Sequence, residues 1–194
     1  MAVINQVGNA LTGSTGSGAF VGANTPTLIT PVIGAATGTS LAFSPTTGGI
    51  IGTTTNDSAG AGYVGEVISS SVVAGSAISL TTSTVANVTC ISLTAGDWDV
   101  NGVVQISGTA TAMLLCGCGV SITSATRALS SDTNGSSAFD LTAGAPSAVG
   151  DRVLSAAGAR ISLSATTTVY LVAQATFSGG TGIAWGRIVA RRAR

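Results

Sequence analysis

Asp57 is the first charged side chain in the sequence, and the residues before it are rich in Gly, Thr and Ser with no Asp, Glu, Lys, Arg or His. Such a stretch buries too little apolar surface to offset the entropy of ordering its backbone, so it does not fold alone. Pro26, Pro31 and Pro45 each remove a backbone donor and push the preceding residue toward extended geometry. Gly13, Gly16, Gly18 and Gly22 make a helix costly. Between these breakers lie short apolar clusters: Phe20-Val21, Leu28-Ile29, Val32-Ile33, Leu41 with Phe43, and Ile50-Ile51. Spaced in this way they read as contact points of an extended arm, residues 1–57, laid along another surface.

Residues 58–194 follow a different rule, the two-residue period of strands. Trp98, Val100, Gly102, Val104 and Ile106 alternate behind a turn-like Ala95-Gly96-Asp97. Val85–Leu93 places Val85, Thr89, Ile91 and Leu93 on one face. Glu66–Val73, Ala77–Leu80, Ala112–Thr123, Arg160–Ser164, Thr168–Phe177 and Ile183–Ala190 have strand composition. Ser124–Gly150 reads as a long loop region with one short strand near Phe139–Leu141. Ile78-Ser79-Leu80, Ile91-Ser92-Leu93 and Ile161-Ser162-Leu163 look alike because Ile and Leu two apart form the inward pair of a strand reaching a turn. No helix is expected. The fold class is all-β, an arm followed by an antiparallel β-sandwich or jelly roll.

Charge sets the next constraint. Only 7% of residues are charged and the mean hydropathy is +0.56, so a monomer has little to keep it apart from its copies. Extensive contact between subunits is the natural remedy. All seven basic residues are Arg at or after Arg127, and four of the seven acids precede it, giving −4 for residues 1–126 and +4 for the rest. That is too sparse for nucleic-acid binding, which needs a dense basic surface. The final cluster, Arg187, Arg191, Arg192 and Arg194, is the candidate contact for an anionic ligand or a neighbouring subunit.

Histidine and lysine are both missing, which removes Ser–His and Cys–His dyads, His-based metal sites, Schiff-base lysines and the phosphate-loop lysine together. No catalytic residue, cofactor or metal is expected, and the chain reads as a non-enzyme. Asp97 and Asp99 flank Trp98 as the one close carboxylate pair, read as a turn Asp, a core indole and a solvated strand Asp. Cys116 and Cys118 share a strand face and, with Cys90, form no even disulfide framework; buried packing suits them in a reducing compartment. Met1–Ala10 has neither the basic start nor the apolar run of a secretory signal, and no window supplies the ~20 mostly apolar residues of a membrane helix.

Two stretches carry a resemblance. Gly18-Ala19-Phe20-Val21, continuing to Pro26-Thr27-Leu28-Ile29-Thr30-Pro31-Val32-Ile33-Gly34, resembles the N-terminal segment of tailed-bacteriophage fibre and appendage proteins. Leu93–Val100, Ile161–Ala175 and the Arg-rich end are similar to the C-terminal domain of phage fibre proteins, and the Leu-x-x-Gly-x-Trp-x-Val step resembles a strand of trimeric jelly rolls of the tumour-necrosis-factor and complement-head type. The resemblance implies a homotrimer on a virion, made and assembled in the host cytoplasm. Phe20, Val21, Pro26, Leu28 and Pro31 would then anchor the arm to other virion proteins, and the head would face the host, with a surface glycan as its ligand. There is no coiled coil, long shaft or attached enzyme, which suits a short tail spike or, alternatively, a capsid decoration protein or head fibre. A carbohydrate-binding module is the reading from another class.

Overall fold

Successive side chains of a strand point to opposite faces, so an alternating run turns one apolar face toward a core and leaves the other wet. The computed structural model, which describes residues 54–109, 112–128, 134–141 and 151–194, assembles such runs into an all-β head. The described strands are β1 (Val67–Val72), β2 (Ile78–Leu80), β3 (Ala86–Leu93), β4 (Gly96–Gly108), β5 (Ala112–Ser121), β6 (Gly135–Leu141), β7 (Arg152–Leu163), β8 (Thr167–Ser178) and β9 (Gly182–Arg192). A single 3-10 turn, Ala74–Ser76, separates β1 from β2. All belong to the compact unit Thr53–Arg194.

Two antiparallel sheets result, one ordered β1-β9-β4-β7 with β2 also on β9, the other β3-β8-β5-β6. The pairing is nested: β1 and β2 on β9, β3 on β8, β4 on β7, β5 on β6. Cross-links from β9 to β4 and from β8 to β5 roll these nested pairs into a jelly roll. Trp98, Val100, Val104, Ile106, Ile161 and Ile188 of the first sheet pack in one core with Leu93, Val120, Val169 and Leu171 of the second. The three Ile-x-Leu pairs each close a strand, and all six side chains join this core.

Three local expectations change. The strand expected at Arg160–Ser164 begins at Arg152, because the register shifts where Val100 and Gly102 of β4 meet Ala159 and Ala156. That irregularity breaks the alternation that a sequence reading follows. A second shift, between Asn87 and Thr89, turns Val88 inward with Ile91 and Leu93. Thr89 instead shares a 2.6 Å hydroxyl contact with Ser70. Gly96 and Asp97, expected in a turn, open β4.

Gly102 of β4 leaves no room for a side chain between the sheets. A Cβ there would collide with Leu171 Cδ1 and stand 3.4 Å from Val120 Cγ2. Gly102→Ala should therefore cost ~1–3 kcal/mol by overpacking, and Leu171→Ala ~2–5 kcal/mol by leaving a cavity. Denaturant unfolding of the double variant should show a loss smaller than the sum, because each change makes room for the other.

Candidate functional site

The antiparallel registers bring four strand ends to one pole: the start of β1, the start of β4, the end of β7 and the end of β9. On β9 the inward alternation Ala184, Ile188, Ala190 continues to Arg192, which is 5% exposed. A guanidinium in a core needs a partner at each of its nitrogens. Arg192 Nε donates to Glu66 Oε2 at 2.9 Å, Nη1 to the Ala95 carbonyl at 2.9 Å, and Nη2 to Thr94 Oγ1. Its flat face lies 4.2 Å from the centroid of Trp98, a cation–π contact, and Trp98 Nε1 donates to the Thr94 carbonyl at 2.9 Å. Gly96 has a φ of +136°, and a Cβ on it would collide with Arg192 Nη1, so glycine makes room for the buried cation.

The two acids of this pole are held ionised. The Gly62 amide, which donates to Glu66 Oε2 at 2.9 Å, and then Arg192 lower the Glu66 pKa. Arg160 donates to both Asp97 oxygens at 2.9 Å, and with Ser162 and Arg194 it lowers the Asp97 pKa to about 2. A carboxylate held so low is no general acid at neutral pH; its chemistry is that of a clamp. Main-chain bonds reinforce it, from Arg192 N to the Glu66 carbonyl and from Ala193 N to the Asp97 carbonyl, both 2.9 Å. Asp97 is therefore a buried partner, while Asp99 is exposed, and only the second matches the sequence expectation.

The outer face of the β1-β9-β4-β7 sheet is the second constellation. Its registers define level rows across the strands: Val67–Arg191–Asp99–Arg160, then Ser69–Val189–Asn101, then Ser71–Arg187–Val103–Ser155, then Trp185–Gln105–Val153. Val67, Val73, Val103 and Val153 are exposed, and Trp185 and Val189 are half-buried. Val73, Val103, Val153, Trp185 and Arg187 line an open groove of about 430 Å³ on this face. Gln105 Nε2 donates to Asp151 Oδ2 at 2.8 Å beside it. The face thus carries Asp99, Arg191 and Arg160 in its end row, with Arg187 beside the exposed apolar side chains of the groove.

The Arg-rich end divides between these places. Arg192 is spent on the chain's own fold and is unavailable to a ligand, Arg194 lies on Asp97, and Arg187 and Arg191 stand on the outer face. Phe20, Val21, Pro26, Leu28 and Pro31 lie outside the described residues. Cys116 and Cys118 are core side chains, with burial raising the Cys118 pKa to about 11, whereas Cys90 is exposed. Among the described residues, no group of three or more His, Cys, Asp or Glu is arranged to hold a metal, and no helix is long and apolar enough to cross a membrane. Comparison with protein-family models, with curated protein sequences and with solved structures returns no match for this chain.

Two outcomes follow from the pole. Trp98 is 0% exposed, and Trp98→Ala should cost ~3–5 kcal/mol in equilibrium unfolding. The folded-state pKa of Asp97 is depressed to about 2, so its contribution is complete above the unfolded value and is lost as pH falls through the folded one. Melting temperature followed against pH should fall between roughly pH 4, near the free carboxyl value, and about 2. Asp97→Asn should be less stable at pH 7 and lose less across that window.

Proposed function

We propose that this chain is a structural protein of a tailed-phage virion, a short homotrimeric tail fibre or spike without enzymatic activity. The arm, residues 1–57, anchors it to other virion proteins, and the jelly-roll head makes the host contact. The observation that carries this reading is the outer face of the β1-β9-β4-β7 sheet, where Val67, Val73, Val103 and Val153 are exposed beside Trp185. An apolar patch of this kind on a chain with 7% charged residues supports a contact between copies. Residues 62–66 meet the end of β9 at the pole, where Glu66 accepts from Gly62 N and Arg192 Nε. The fibre-type motif of the arm supplies the virion part of the reading.

Light scattering of the full chain at micromolar concentration should give the mass of three chains, and a monomer would remove the trimer. Labelled antibodies against the head should decorate the tail of purified particles. Label confined to the capsid surface assigns a decoration role instead. Removing residues 1–40 should abolish incorporation into particles while leaving the trimer intact; normal incorporation would shift the anchoring role to the head.

A further inference from the structure

The charged row of the outer face is unmatched within the chain. Asp99 stands opposite Arg191 on β9 and Arg160 on β7. Arg160 is committed to Asp97, and among the described residues no ion pair joins Asp99 to Arg191. In water this costs little, because exposed pairs contribute little either way. Once a neighbour covers the face, an unpaired Asp99 or Arg191 becomes an uncompensated buried charge, which is strongly unfavourable.

We infer that a second copy supplies the match: Arg191 on β9 of one copy pairs with Asp99 on β4 of the next. This rests on the proposed homotrimer and adds which face meets and in which register. β9 and β4 are neighbouring strands in the centre of the sheet, so every copy offers the cation from one and the anion from the other. A three-fold axis along the strands keeps each row level with its equivalents, so three identical pairs close the ring. At the same time the row of Trp185 and Val153 meets its own equivalents, apolar against apolar. A one-row slip along the axis sets Arg191 against the level of Asn101 and leaves both charges buried and unpaired, so the row rejects that slip; a two-row slip would set Asp99 against the level of Arg187.

Charge reversal in the full-length chain tests the pairing. Asp99→Arg alone sets Arg against Arg at each junction, and Arg191→Asp alone sets Asp against Asp. Either should raise the concentration for half-assembly by ~100-fold or more, given the cost of like charges at an interface. An equimolar mixture of the two variants should form mixed trimers, because two of the three junctions are then matched. Both positions are exposed, so far-UV circular dichroism should be unchanged. The neutral variants Asp99→Asn and Arg191→Gln should weaken assembly less, and mixing them should gain less than mixing the reversals, because only one of the three junctions is then a matched pair. The pairing is overturned if the single reversals assemble like the unaltered chain. It is also overturned if mixing fails while both reversals in one chain restore assembly, which would place the pair within a subunit. An unaltered chain that stays monomeric removes the trimer itself.

Discussion

The buried guanidinium of Arg192 is the interaction on which the register of this head depends. A cation removed from water is tolerated only when its donors are used, and here the acceptors come from Glu66 before β1 and from Thr94 and Ala95 before β4. Those segments must therefore meet the end of β9 at one level. A one-residue slip of β9 would bring Arg191 inward, expose Arg192 and exchange the two faces of the strand. Clamp and outer face are consequences of one register, fixed by charge at the pole and by Ile188 and Ala190 in the core.

That register gives two adjacent residues opposite fates. Arg192 spends its charge inside the fold, whereas Arg191 faces outward beside Asp99. The acids divide in the same way, Asp97 held under Arg160 and Arg194 and Asp99 left to the surface. A fold that commits its buried carboxylates to arginines retains no raised-pKa acid for proton transfer at the pole. What it presents instead is an outer sheet face that carries both charged and exposed apolar side chains. The proposed virion role accounts for both parts of the chain, an uncharged segment rich in Gly, Thr and Ser and a head poorly supplied with charge.

Much of the head was legible in the sequence because strand alternation is a local signal. Trp98 to Ile106, the Ile-x-Leu strand ends and the buried Cys116 and Cys118 all follow from it. The signal failed where the chain departs from a strict period of two. The register shifts beside Val88 and between Ala156 and Ala159 insert residues that no composition announces, and the shift near Ala156 hid the first half of β7. The role of Arg192 had a readable sign, since counting by two from Ile188 and Ala190 already points it inward. Its position in a terminal run of arginines favours a solvent-facing reading, and only the presence of Glu66, 126 residues away in sequence, makes the inward one stable.

The sequence by itself determined that the first 56 residues are uncharged and rich in Gly, Thr and Ser and that the rest forms strands with few charges. It also determined that no histidine or lysine chemistry is available. These are properties of composition and short-range period, which need no partner to express them. The tertiary structure decided which arginines are buried, which aspartate is clamped and which sheet face carries the exposed valines. Those outcomes depend on residues far apart in the chain meeting at one level of a sheet, and the nested pairing of β1 with β9 and of β4 with β7 brings them together.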